Sequence, residues 1–476
     1  MDRTKIVCTI GPVSGDKATL RKMIKAGMDC VRLNFSHGTY PDHAEIIKIV
    51  RREAKQLGVP VAVMADLQGP RVRTGNLPAT GQATKKGGSV VLRAGAEEAP
   101  DGIIPVGYDK LHREVKIGDT ILIDEGLIKL KVQSISRRNI TCKVIVGGVI
   151  TSYRGMNFPN SKLSVSSITA KDKKDLAFAL RHDVDWMALS FVRCPEDIAY
   201  LRRLIKSWEK KLHIKKPTKI IAKIEKREAV ADFDKILEAA DGIMVARGDL
   251  GIEMPAAQVP ITQKMIIEKC LVAAKPVITA TQMLLSMVDN SRPTRAEASD
   301  VANAVIDHTD AVMLSQETAV GKYPVETVKT MSKIISDTEE SPYDDLVLNN
   351  HLNQKTAPID SAISYAAGRL ARDVEARAIL VATISGYSAR LVARYRPELP
   401  IVVAAENEKV RRQLALSWGV IPFVVTRCQN VDELIRKVVT CAKRHRIIKS
   451  GDKVVIIGGQ PVGKTGNVNL VKVHQV

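Results

Sequence analysis

The chain has 476 residues, of which 45% are hydrophobic and 26% charged, the composition of a soluble globular protein and the length of about three domains. No apolar run approaches the ~18 residues that a membrane span needs, and no signal-like stretch opens the chain, so a cytoplasmic protein without membrane contact is expected. Its formal net charge of +20 implies anionic partners; with only 4% aromatic residues, and basic residues set among acidic neighbours, phosphorylated metabolites fit better than nucleic acid. Seven scattered cysteines without C-x-x-C spacing argue for reduced thiols rather than a disulfide framework or a zinc site.

In chain order, short apolar runs rich in β-branched residues alternate with helix-length amphipathic stretches. The runs fall at 5–10, 30–36, 61–66, 186–191, 219–225, 242–249, 276–281 and 311–315. Eight such strand–helix units predict a (β/α)₈ TIM barrel, an α/β fold. Between the third and fourth strands the pattern changes to short alternating strands, for example 118–124 and 143–147, which predicts an inserted all-β lid domain over the barrel face where active sites form. A polar stretch over 341–356 then leads to a C-terminal α/β domain with strands near 378–383, 400–404, 422–425 and 452–457. The predicted division is 1–70 with 166–345 for the barrel, 71–165 for the lid and 346–476 for the last domain.

Polar residues gather at the C-terminal ends of the barrel strands. The fifth strand carries Lys223 and Glu225 two residues apart, on one face of an otherwise apolar run. Alone, an ordinary ion pair capping a strand and a functional pair are about equally good accounts, since burying both charges costs several kcal/mol per ion in order of magnitude. Arg32, Asn34 and Ser36 alternate along one face of the second strand. Asp66 ends the third strand, Asp249 the sixth and Thr281 the seventh, while Ser315 and Glu317 close the eighth. Convergence from six strands predicts one site.

Within it, Glu225 and Asp249 are hard oxygen ligands suited to Mg²⁺ (or Mn²⁺), leaving positions for substrate oxygens and water. Arg32 and Lys223 supply positive charge opposite, the division of labour that phosphoryl transfer requires. A turn at Gly248 and Asp249 is expected to offer free backbone N–H groups to a carboxylate.

Two glycine-containing segments lie in the last domain. Residues 458–465 match G-x-x-x-x-G-K-[ST], but a phosphate loop must open into a helix, whereas 469–476 reads as a strand. Thr383, Ser385, Gly386 and Ser388 lie between a strand and the start of a helix, a place suited to a phosphate, although N-capping by Ser385 or Ser388 explains those hydroxyls equally simply.

The segments 4–12, 31–38, 242–251, 279–284 and 292–297 resemble, in order, the signatures of the pyruvate kinase family. The resemblance spans essentially the whole chain. It implies phosphoryl transfer from phosphoenolpyruvate to ADP, giving pyruvate and ATP, by a homotetramer with allosteric control through the last domain. It further implies that Lys223 stabilises the transferring group, that Arg32 binds its oxygens, and that Glu225 and Asp249 hold the divalent metal. Gly248 and Asp249 would receive the substrate carboxylate, and Thr281 would lie near the enolate carbon. Nucleotide contacts fall on Asn34, His37, Arg73 and Arg154, the last standing where the family commonly has lysine. Thr383, Ser385, Gly386 and Ser388 match the phosphate loop for a phosphorylated effector, and 458–466 resembles a second effector loop.

The chain departs from the family at the monovalent site. Potassium-dependent members resemble it at Asn34, Ser36 and Asp66, but carry threonine where Leu67 stands and an acid where Arg71 stands. A guanidinium there can supply the charge of K⁺, so weak or absent potassium dependence is expected. Two other readings compete. A Mg²⁺-dependent aldol-type lyase barrel would use similar residues without ADP, and a basic nucleic-acid-binding protein would explain the charge without catalysis.

Overall fold

The computed structural model describes residues 2–344, 358–426, 428–460 and 466–476. Eight parallel strands close into a barrel: Lys5–Thr9, Met28–Asn34, Ala62–Asp66, Trp186–Leu189, Lys219–Ile224, Gly242–Ala246, Val277–Ala280 and Ala311–Leu314. The third and fourth of these pair directly, Asp66 against Ala188, and the eighth closes on the first, Ala311 against Lys5. The strands are buried almost throughout, which is why they read as continuous apolar runs rather than alternating ones.

The helices outside the barrel begin where the sequence tells them to. Thr39 with Asp42, Thr169 with Asp172 and Thr294 with Glu297 form reciprocal capping boxes at the starts of Tyr40–Leu57, Ala170–Arg181 and Arg295–Ile306. Asp172 also accepts the Gly69 N–H at 3.1 Å, so one carboxylate starts a helix and fixes the loop leaving the third strand.

The excursion between the third and fourth barrel strands holds a six-stranded sheet and a two-stranded ribbon. Its pairings are antiparallel except Ser89–Ala94 with Ile103–Val106, which run parallel. Its own core, built on Leu92, Ile104, Ile121, Leu130 and Val144, is separate from that of the barrel. The C-terminal unit has a five-stranded sheet. Ala378–Thr383, Ile401–Ala405, Val420–Val424 and Lys453–Gly458 are parallel, and Leu470–Gln475 runs antiparallel along Lys453–Gly458. The G-x-x-x-x-G-K-[ST] pattern therefore leads to a strand. Its Gly463, Lys464 and Thr465, with most of the 458–466 loop and the linker 345–357, lie outside the described residues.

Buried charge fastens the C-terminal unit to the barrel. Arg396 donates to the His308 carbonyl oxygen at 2.6 Å and pairs with Asp310 at 3.3 Å, with both side chains less than a tenth exposed. Asp310 also accepts the Trp418 N–H at 3.2 Å. The Trp418 ring lies beneath the guanidinium groups of Arg3 and Arg396, at 5.2 and 5.0 Å from its centroid. Replacing Arg396 by Met leaves Asp310 buried without its cation, and is expected to lower stability by about 3–5 kcal/mol. Urea denaturation followed by fluorescence measures this; an unchanged midpoint would show that the pair does not hold the two units together.

Candidate active site

The ends of five barrel strands deliver charged and hydroxyl groups to one point. Lys223, on the fifth strand, contacts Glu225 Oε1 at 2.8 Å, Asp66 Oδ2 at 3.4 Å and the Ser190 hydroxyl oxygen at 2.8 Å. Arg32, on the second strand, donates through Nε to Asp66 Oδ2 at 2.7 Å and through Nη1 to the Thr9 hydroxyl at 2.9 Å. Ser190 in turn donates to the Leu67 carbonyl at 2.7 Å. Asp66 and Glu225 are 1% exposed, so their charges depend on these neighbours.

The electrostatics follow from the contacts. Burial alone would raise the Asp66 pKa, but Lys223 and Arg32 outweigh it and hold the carboxyl below its ordinary range. Burial likewise opposes the Lys223 charge, yet Asp66 and Glu225 lift its pKa above that of a free lysine. Glu225 differs. Burial raises its carboxyl above the usual range, Lys223 counters only in part, and Asp249 adds repulsion.

Asp249 is brought in by the segment that follows the sixth strand. That segment is a helix, Arg247–Glu253, where a turn had been expected. The Gly248 N–H is consequently not free: it donates to the Thr281 hydroxyl at 2.8 Å. Thr281 itself has φ of +73°, a left-handed conformation that strains a β-branched residue. Arg247 holds it there, donating to the Thr281 carbonyl at 2.7 Å while pairing with Asp300 at 2.7 Å.

Arg71 extends from the loop after the third strand. Its guanidinium approaches Asp249 Oδ1 at 4.0 Å, and Asp66 is occupied instead by Arg32, Lys223 and Ser190. The Gly155 backbone sits against that guanidinium so closely that a β-carbon there would be 2.6 Å from Nε. Asn34 and Ser36 do not share one strand face, because the strand ends at Asn34 and Ser36 lies in the following turn, its N–H bonded to Asn34 Oδ1 at 3.1 Å. His37 continues that turn, and its carbonyl meets His43 Nε2 at 3.1 Å. Arg73 donates to the Tyr153 carbonyl at 3.0 Å, and Arg154 binds the Thr151 hydroxyl and Asp124, so both are held by the inserted unit.

Three participants escaped the sequence reading. Thr9 and Ser190 are neutral hydroxyls at the ends of the first and fourth strands, and the strand-end rule that found Asp66 would have found them. Phe191 was invisible. With φ of +55° it turns its backbone N–H onto Glu225 Oε2 at 2.6 Å. Conversely, Glu317 is not aimed into the site: fully buried, it accepts the N–H groups of Ser315 and Leu284 and holds two loops together.

At the second predicted site, Thr383 accepts the Gly386 N–H at 2.9 Å. Gly386, at φ +84°, starts the helix Tyr387–Ala393, and neither Ser385 nor Ser388 caps it. Arg390 was not singled out from sequence. Its Nη1 lies where a β-carbon on Gly386 would be 2.8 Å away, while the φ of +84° accounts for glycine at that position.

The donor set suits a divalent cation. Among the described residues no group of three or more Asp, Glu, His and Cys side chains is gathered to enclose a metal. Glu225 and Asp249 repel one another, and such a pair of hard oxygen donors leaves coordination positions for substrate oxygens and water.

Comparison with known proteins identifies the family. Residues 1–328 match the family model described as the barrel domain of pyruvate kinase, and residues 361–474 match its alpha/beta domain. A pyruvate kinase of Geobacillus stearothermophilus is 45% identical over the whole chain, which covers 80% of that protein. One of Clostridium acetobutylicum is 42% identical, with both chains covered completely. The crystal structure of a pyruvate kinase from Cryptosporidium parvum is 37% identical and superposes with a TM-score of 0.93, covering 100% of this chain and 96% of the other. The chain belongs to the pyruvate kinase family, enzymes that transfer the phosphoryl group of phosphoenolpyruvate to ADP and generally use Mg²⁺.

Proposed function

We propose that the transfer takes place at the Lys223 cluster, with the barrel (1–70 and 166–345) as catalytic unit, 71–165 as a lid and 346–476 as a regulatory unit. The observation that carries this assignment is a lysine kept protonated in a buried position by two carboxylates. Such an ammonium is preorganised to meet charge developing on a phosphoryl group, at little reorganisation cost. Arg32, anchored by Asp66 and Thr9, binds the phosphoryl oxygens. Thr281 lies beside the enolate carbon and orients its protonation, and the Gly248 and Asp249 N–H groups take the substrate carboxylate as the Thr281 hydroxyl releases Gly248. Arg73 and Arg154, with Asn34 and His37, face the ADP phosphates as the lid closes. Glu225 and Asp249 hold Mg²⁺ (or Mn²⁺), which when bound supplies positive charge to the substrate oxygens.

Potassium is dispensable in this reading. The charge that replaces it is the Arg71 guanidinium, which acts at Asp249 rather than at Asp66. In the C-terminal unit, a phosphorylated effector binds Thr383, Ser385, Gly386 and Ser388, with the Arg390 guanidinium beneath the loop. The enzyme works as a homotetramer in the cytoplasm. Among the described residues no helix is long and apolar enough to cross a membrane.

Lys223→Met should lower kcat by about 10²–10³-fold, with a smaller change in KM for phosphoenolpyruvate, because the lost charge acts mainly in the transition state. Coupled assay of pyruvate formation on the purified, folded variant decides this; a fully active variant would remove the assignment. The wild-type enzyme should turn over equally in K⁺ and in an inert organic cation at constant ionic strength. Arg71→Glu should make it dependent on K⁺ by at least about tenfold. Equal dependence of both proteins on K⁺ would refute the role given to Arg71.

A further inference from the structure

One face of the barrel presents an almost uninterrupted basic surface. Helices Ala170–Arg181 and Pro195–Lys211 lie against each other there. Their acidic residues turn inward. Asp172 caps its helix and holds Gly69, Asp175 accepts the Tyr40 hydroxyl, Asp197 accepts the Arg193 N–H and Glu209 accepts the Thr218 N–H, all four being buried. The basic residues turn outward. Lys173, Lys174 and Arg181 are exposed on the first helix, and Arg203, Lys206, Lys210 and Lys211 on the second. Glu196 is the one exposed acid on the two helices. The acidic neighbours that favoured small metabolites over nucleic acid in the sequence therefore do not neutralise this surface.

Two aromatic rings are set into it in a repeat. Tyr200 lies between Lys173 and Arg203, at 5.8 and 5.7 Å from its ring centroid. Trp208 lies between Arg181 and Lys211, at 5.2 and 4.8 Å. Each rung takes one cation from each helix. Every member of the second rung follows its counterpart by eight residues, which places the rungs about 12 Å apart along the helices. Cation–π contacts at these distances are weak at exposed sites, so a stacking partner can replace a cation on the ring and leave it free for an anion. The cleft of about 500 Å³ beyond the second rung adds little free charge, because its Lys409 and Arg412 are paired with Asp183, and Lys216 with Glu406.

We propose that this ladder binds single-stranded nucleic acid, with phosphates on the exposed lysines and arginines and bases stacked on Tyr200 and Trp208. A flexible strand suits two half-buried rings on a convex surface, and stacking requires no sequence. An anionic membrane fits less well, since none of the large exposed hydrophobic side chains lies on these helices to insert. The binding is independent of the catalytic cluster and of the roles assigned there.

The test is fluorescence anisotropy of a labelled, mixed-sequence single-stranded RNA of about 20 nucleotides with the full-length protein, turnover being assayed on the same samples. Affinity should fall by about tenfold or more between roughly 50 and 200 mM salt. Lys206→Glu with Lys210→Glu should weaken binding by about thirtyfold at low salt and leave kcat and KM unchanged. Tyr200→Leu with Trp208→Leu should weaken it by about tenfold without altering the salt slope. No binding at low salt, or undiminished binding by the charge-reversal pair, overturns the proposal. So does undiminished binding by the leucine pair, or equally tight binding to phosphatidylserine vesicles, either of which would reduce the face to a non-specific polyanion surface. The charge-reversal pair, at exposed positions, carries the test if the leucine pair fails to fold.

Discussion

The mouth of the barrel is arranged around the burial of Lys223, Arg32, Asp66 and Glu225 together in a nearly water-free place. An isolated buried charge is prohibitively unfavourable, and a single buried pair is at best near break-even. Four groups from the second, third and fifth strands, with Ser190 and Thr9 filling remaining hydrogen-bond positions, form a closed network. By formal charge the two cations and two carboxylates sum to zero, as do Arg71 and Asp249 beside them. A neutral site is affordable to fold, but it is unfinished as a receptor for a highly charged phosphate ester. The mutual repulsion of Glu225 and Asp249 marks where further positive charge is wanted, in keeping with an enzyme family that generally uses a divalent ion.

That requirement reaches outward into backbone strain. Phe191 and Thr281 both adopt left-handed conformations at the ends of barrel strands, and each is over-determined by what it touches. Phe191 directs an amide to Glu225, and Thr281 is clamped at its carbonyl by Arg247 and at its hydroxyl by the Gly248 N–H. Arg247 is tied in turn to Asp300 on the helix that follows the seventh strand. The position of the Thr281 hydroxyl thus depends on an ion pair on the outer layer of the barrel.

The barrel was legible in the sequence because eight apolar strand-length runs alternate with helix-length amphipathic stretches, and six of those runs carry polar residues at their C-terminal ends. The same pattern exposed Arg32, Asp66, Lys223, Glu225, Asp249 and Thr281. It did not expose what depends on three-dimensional packing. The helix at Arg247–Glu253 replaces the expected turn, and the Gly248 amide is engaged where it was expected to be free. The helix after Thr383 starts on Gly386 in place of a serine cap. Arg71 lies against the Gly155 backbone, more than eighty residues later, and no local signal in the sequence anticipates that its guanidinium approaches Asp249.

Surface charge was the least legible property, for a physical reason. In the sequence, Asp172, Asp175, Asp197 and Glu209 sit three or four positions from lysines and arginines, the spacing at which helical ion pairs form. Asp175 and Asp197 do form such pairs, with Lys171 and Arg193, yet all four also spend charge inward, on a cap, a loop amide or a hydroxyl that would otherwise be an unsatisfied buried group. Lysine and arginine have longer stems and remain hydrated at their tips. Satisfying the interior with short acids therefore leaves long bases as the surface. The basic face is in this sense a consequence of how these two helices are anchored, and any partner it attracts meets a surface whose acids were already committed to the fold.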